Sequence, residues 1–183
     1  MYILGLYIFW RDIMKIRFII FVTGLLMVST LVGCVNNHNN KSSMIDNSTI
    51  ISKVQMEHYY KDIFDSYADV IDSYADSIID NKLETKASAT HTIKLIDNIN
   101  IKLKNNSINK EESNNFIKLN ACLKNLVECY KTNNFSNLKE YNSQINEYLP
   151  KVKRDLSVDR NNKVVKATNR LNKIVANRYH IRN

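Results

Sequence analysis

Thiols, imidazoles and two files of charge carry most of the reactive chemistry in this sequence, and their spacing limits what that chemistry can be. The chain has three cysteines, Cys34, Cys122 and Cys129. Cys122 and Cys129 are seven residues apart. On one helix that spacing separates their Cα atoms by about 10 Å, beyond the roughly 7 Å a disulfide tolerates. Each precedes a residue of an apolar seam, Leu123 and Tyr130, so both read as small buried thiols. The alternative is an intermolecular bond in an oxidising compartment. His38, His58, His91 and His180 stand on separate segments, with no HExxH, CxxC or paired Glu-x-x-His beside them. No metal or cofactor is therefore expected. No residue has the context of a triad nucleophile, and the chain is not expected to be an enzyme.

The first file of charge is acidic. Asp62, Asp65, Asp69, Asp72 and Asp76 recur at spacings of 3-4-3-4, with Asp80 following. Like charges along a helix face cost a few tenths of a kcal/mol per pair, so something positive is expected opposite. A surface of these aspartates with neighbouring tyrosines is also a candidate partner face. The second file is basic, with Lys163, Lys166, Arg170 and Lys173 at 3-4-3. Residues 150–183 hold ten Lys or Arg against Asp155 and Asp159, whereas residues 34–149 hold thirteen Lys against fifteen acids. The excess positive charge of the region after Cys34 thus sits at its C-terminal end. Three contacts compete for the basic file. It can pack beside the acidic file, which favours one helix order. It can face anionic lipid headgroups or cell-wall polymers. Nucleic acid is not expected, since no aromatic platform is interleaved with the basic residues.

Cys34 belongs to a different context. It ends the apolar run Phe18–Val32 as Leu31-Val32-Gly33-Cys34, which resembles the lipobox of bacterial lipoproteins. The resemblance implies cleavage between Gly33 and Cys34 and a diacylglycerol on the Cys34 sulfur, so the partner expected there is membrane lipid. Starting at Met14, the sequence reads Met-Lys-Ile-Arg, then the apolar run, then the small-residue site. That is the layout of a secretory signal, and Met14 is the expected start. The alternative is an uncleaved single-pass anchor, for which a run of 15 residues falls short of the ~20 a spanning helix needs. In both cases Lys15 and Arg17 hold the N-terminus inside and the rest is exported. The expected organisation is a signal peptide over 1–33, a lipidated cysteine with an Asn-rich flexible tether over 34–48, and a folded domain over 49–183. The address is the extracytoplasmic face of a cell membrane.

These residues must be positioned by a domain with an unusual composition. All three glycines (Gly5, Gly24 and Gly33) and the single tryptophan, Trp10, precede Cys34, and Pro150 is the one proline. Hairpin turns and phosphate-cradling loops rely on Gly. Without it, dinucleotide-binding loops, P-loops and nucleophile elbows are excluded. An all-α fold with Asn in the turns is what remains.

Periodicity supports the same class. Tyr60, Phe64, Tyr67, Ile71, Tyr74 and Ile78 form a 4-3-4-3-4 seam over a first helix at 49–80, in which Asp65-Ser-Tyr-Ala-Asp69 recurs as Asp72-Ser-Tyr-Ala-Asp76. A second helix opens at Asn81-x-x-Glu84, with Ala89, Ile93, Ile96, Ile99 and Leu103 on one face. Asn105-Asn106-Ser107 reads as a loop, and Asn109-x-x-Glu112 opens a third helix with Phe116, Leu119, Leu123, Leu126 and Tyr130. Thr132-Asn133-Asn134 breaks it. Ser136 is the expected cap of a fourth helix with the seam Leu138, Tyr141, Ile145 and Tyr148, which Pro150 kinks or ends. Ser157 or Asp159 is the expected cap of a last helix bearing Val164, Ala167, Leu171 and Ile174. Repeated 3-4 seams with short loops predict an elongated antiparallel bundle of four to five helices.

Two roles fit such a chain. One is a lipid-anchored, non-catalytic interaction module that binds an envelope protein or an anionic polymer. The other is an exclusion or immunity lipoprotein of the kind carried by phages and plasmids.

Overall fold

The first helix begins where two side chains exchange bonds with the backbone. Ser52 Oγ accepts from the Gln55 amide at 3.2 Å and Gln55 Oε1 accepts from the Ser52 amide at 2.8 Å, a reciprocal capping box. The computed structural model describes residues 50–80, 85–106, 110–159 and 161–178. The expected signal, tether and Met14 start, the Asn81/Glu84 and Asn109 caps, and His38 and His180 lie outside them.

The described residues form five helices: α1 (Lys53–Asp80), α2 (Thr85–Asn106), α3 (Lys110–Thr132), α4 (Leu138–Leu156) and α5 (Asn162–Arg178). The protein is all-α, a helical bundle. No helix among the described residues is long and apolar enough to cross a membrane. At ~1.5 Å per residue, the 28 residues of α1 extend about 42 Å.

α1 is the central element, packing against each of the other four helices. A helix so placed must bury more than one stripe. Beyond the predicted seam, Ile63, Val70 and Ala75 are fully buried, and Ser66 and Ala68 are buried too. The other neighbours are α2 with α3 and α3 with α4, whereas the backbone of α5 approaches α1 alone.

Without glycine, two turns draw on residues that tolerate the left-handed region at some cost. At the end of α3, Asn133 takes φ 52°, its amide donates to the Tyr130 carbonyl at 3.4 Å, and the Asn134 amide donates to Cys129 at 3.1 Å. At the end of α4, Ser157 takes φ 55°, with its amide on Arg154 at 3.3 Å and that of Val158 on Lys153 at 3.1 Å. Both are the paired 5→2 and 6→1 closure that usually takes glycine. Ser157 therefore ends α4 and does not cap α5. The cap of α5 is Asn161, whose Oδ1 accepts from Lys163 and Val164 at 3.0 and 3.1 Å. Neither expected cap holds there, because the chain needs Ser157 and its neighbours to turn.

Two further expectations about α4 are corrected. Asn137, not Ser136, precedes its first turn and makes no side-chain cap bond. Pro150 lies inside the helix and is exposed, so α4 continues past it to Leu156 and the break falls at Ser157. The core face of α4 also extends beyond the predicted seam, because Tyr141 and Tyr148 are half-buried while Leu149, Val152 and Leu156 are buried.

Candidate interaction surface

The duplicated Asp-Ser-Tyr-Ala-Asp sequence of α1 explains how one helix serves several partners, since its first aspartate, its serine and its tyrosine face three different neighbours. The serines turn to α2, with Ser66 Oγ 2.7 Å from Thr92 Oγ1 and Ser73 Oγ 2.8 Å from Ser88 Oγ. The tyrosines turn to α3. Tyr67 and Tyr74 place their rings 6.3 and 5.1 Å from that of Tyr130. Phe135 packs edge-on to Tyr74 and Tyr130 at 5.7 and 5.5 Å, within the range of favourable aromatic pairs. Burial raises the Tyr60, Tyr67 and Tyr130 phenols well above their ordinary range. Tyr60, Tyr67, Tyr74 and Tyr130 are buried and belong to the core rather than to an exposed recognition face.

The first aspartate of each repeat turns to α5. Asp65 receives Lys163 Nζ at 3.2 Å and Asn161 Nδ2 at 2.8 Å from α5 and its cap, and Lys61 Nζ at 2.7 Å from its own helix. Burial works to raise the Asp65 carboxyl, but the bonds from Lys61, Asn161 and Lys163 outweigh it and bring it down to about 2. One repeat further on, Arg170 reaches Asp72 Oδ1 at 3.2 Å and also pairs with Asp76. Lys163 to Arg170 and Asp65 to Asp72 are the same seven-residue step. α5 therefore lies parallel to α1 and in register with its repeat.

The predicted charge files thus meet, but incompletely. Asp65, Asp72 and Asp76 are paired with Lys163 and Arg170. Asp62, Asp69, Lys166 and Lys173 are exposed and have no ion pair among the described residues. α1 carries seven acids and two lysines, α5 five bases and no acid, so packing them side by side cancels most of both fields. Between the carboxylates, one turn away, Ala68 and Ala75 are buried, and α5 buries Ala167, Leu171 and Val175. Small side chains there let the two backbones approach.

A solvent-open cavity of about 480 Å³ lies where α1 starts and α4 passes into α5, between Val54, His58, Lys61, Asp65, Val158 and Lys163. Its cations Lys61 and Lys163 are both committed to Asp65. No group of three His, Cys, Asp or Glu side chains suited to a metal occurs among the described residues.

Cys122 and Cys129 are free and buried. Cys122 Sγ donates to the Lys118 carbonyl at 3.1 Å, and burial pushes both thiols up, which keeps them protonated and poorly nucleophilic. Cys34 and Gly33 lie outside the described residues. Sequence reasoning missed the Ser66–Thr92 and Ser73–Ser88 pairs, because serine at helical spacing reads as solvent-facing until a partner helix is known.

No protein-family model, no curated protein and no solved structure matches the chain.

Proposed function

We propose that this chain is a bacterial lipoprotein, held by Cys34 at the extracytoplasmic face of a membrane, whose helical bundle acts by contact with an envelope partner rather than by catalysis. The observation that carries the reading is the change of composition at Leu31-Val32-Gly33-Cys34. Every glycine, the tryptophan and the longest apolar run fall at or before Gly33, and a polar stretch leading to a glycine-free domain follows Cys34. The bundle suits contact, with a core built across five helices and charged side chains outside it. On α5 the exposed Lys166 and Lys173 are the members of the basic file left to meet anionic headgroups or polymers, because Lys163 and Arg170 are turned to α1.

Metabolic labelling with an alkyne analogue of palmitate tests this. The wild-type chain is expected to take up label and to sediment with membranes, while Cys34→Ser takes up none. Equal labelling of both, or no labelling of either, sinks the lipoprotein reading.

A further inference from the structure

α5 covers an acidic face of α1 and enters the core through Ala167, Leu171 and Val175, but it does so against a single neighbouring helix. Its backbone approaches only α1, while α1 contacts α2, α3 and α4, and α3 contacts both α2 and α4. Ile63, Val70, Ile96, Phe116 and Ile145 on α1 to α4 are buried among several helices, whereas Leu171, equally buried on α5, sits on a helix with one neighbour. The α1–α5 contact itself is made of charge at the edge, where Asp65, Asp72 and Asp76 meet Lys163 and Arg170, and of small or branched apolar side chains within it. Exposed charge pairs hold weakly and yield to salt. A helix joined to the fold through one neighbour is also the kind of unit that opens before the whole molecule does.

We propose that the face of α1 formed by Asp65, Asp72 and Asp76 beside Ala68 and Ala75 is a docking groove for a basic amphipathic helix. α5 is its resident occupant, and a partner helix of the same pattern takes the groove when α5 lifts. α5 defines what fits. Two cations seven residues apart, as Lys163 and Arg170, meet the carboxylates of successive repeats. Apolar side chains at four-residue steps, as Ala167, Leu171 and Val175, are buried on a helix whose backbone approaches α1 alone. Charge complementarity selects a basic helix over an acidic or neutral one. The resident helix lowers the groove's apparent affinity by the fraction of time the groove is open, so α5 acts as an intramolecular competitor. The inference rests on the domain being an interaction module but not on the lipid at Cys34, so labelling at Cys34 and helix binding at α1 can fail separately.

The test uses the full chain in non-ionic detergent and a fluorescent synthetic peptide of residues 161–178 as the probe. In the chain, Arg170→Glu sets the resident helix against Asp72 and Asp76 and should hold the groove open. The peptide is expected to bind this variant about tenfold or more tightly than the wild type, to be released by salt, and to slow amide exchange in α1. A peptide carrying Arg170→Glu should not bind. Leu171→Ala, which loosens α5 without touching its charge, should also raise peptide binding. Equal binding to wild type and both variants, or binding to none, overturns the proposal. So does loss of the helical signal of the whole bundle in both variants, because the groove requires α1 to α4 to stand when α5 is undocked.

Discussion

Asp65 is the residue on which the α1–α5 contact turns, because three donors converge on one carboxylate. A carboxyl held near 2, below its unfolded value of about 4, contributes its stability in full above about pH 5 and loses it as the pH falls toward 2. Asp65→Asn is therefore expected to be less stable than wild type by about 1 kcal/mol at pH 7. The gap should close as the pH approaches 2. Urea denaturation of both proteins at pH 7, 4 and 2 measures it, and a constant gap would contradict the assignment. Asn142 presents the opposite case. It is 2% exposed, and neither its Nδ2 nor its Oδ1 has a hydrogen-bond partner among the described residues. An unpaired buried amide is costly, so Asn142→Leu is expected to stabilise the fold by about 1 kcal/mol, read as a higher urea midpoint with unchanged slope.

At the scale of the element, the helices show how a glycine-free domain manages its ends. α1 opens on the Ser52/Gln55 exchange, and Ser52→Ala is expected to cost about 1 kcal/mol. α3 and α4 close on Asn133 and Ser157 in the left-handed region. Asn133 is additionally held by the Tyr74 hydroxyl, which donates to its Oδ1 at 2.9 Å, whereas Ser157 Oγ accepts from Lys53 Nζ at 3.1 Å on the surface. Glycine at Ser157 removes the Cβ conflict for the loss of an exposed bond, and Ser157→Gly should stabilise by about 0.5–1 kcal/mol. Asn133→Gly should gain less or nothing, since it also breaks the bond to Tyr74. Thermal unfolding of the two variants side by side checks the order. Asn in the turns was legible from composition and was met at Asn133. That Ser157 turns while Asn161 caps was not legible, because Ser, Asp and Asn are all competent N-caps and only the path of the chain between α4 and α5 chooses among them.

For the whole molecule, one core runs through all five helices, but the fifth joins it through α1 alone. Ile63 is fully buried on α1 and Leu171 on α5, yet truncating them should have different consequences. Ile63→Ala is expected to cost about 2–4 kcal/mol and to speed amide exchange throughout α1 to α4. Leu171→Ala should speed exchange chiefly in α5, with α2, α3 and α4 close to wild type. Exchange mass spectrometry resolves the two patterns, and a uniform change for Leu171→Ala would show that α5 is part of the same cooperative unit.

The class of fold was written in the chain itself. Glycine is absent after Cys34 and apolar residues recur at 3-4 steps, and both are local properties that leave only amphipathic helices. The seams of α2 and α3 were likewise readable, since Ala89, Ile96, Ile99 and Leu103, and Phe116, Leu119, Leu123, Leu126 and Tyr130, are buried where the periodicity placed them, with Ile93 half-buried at the edge. Periodicity gives a helix one face, however, and cannot reveal that α1 is surrounded. Ile63, Ser66, Val70 and Ala75 are buried because four other helices converge on α1, which no window along the chain contains. The two charge files were each visible as a stripe, but which members pair was decided by the parallel packing of α5 on α1. Lys163 and Arg170 are spent on the acidic repeat and Lys166 and Lys173 are turned outward, because a helix that docks along one side can offer only part of its charged face to its neighbour.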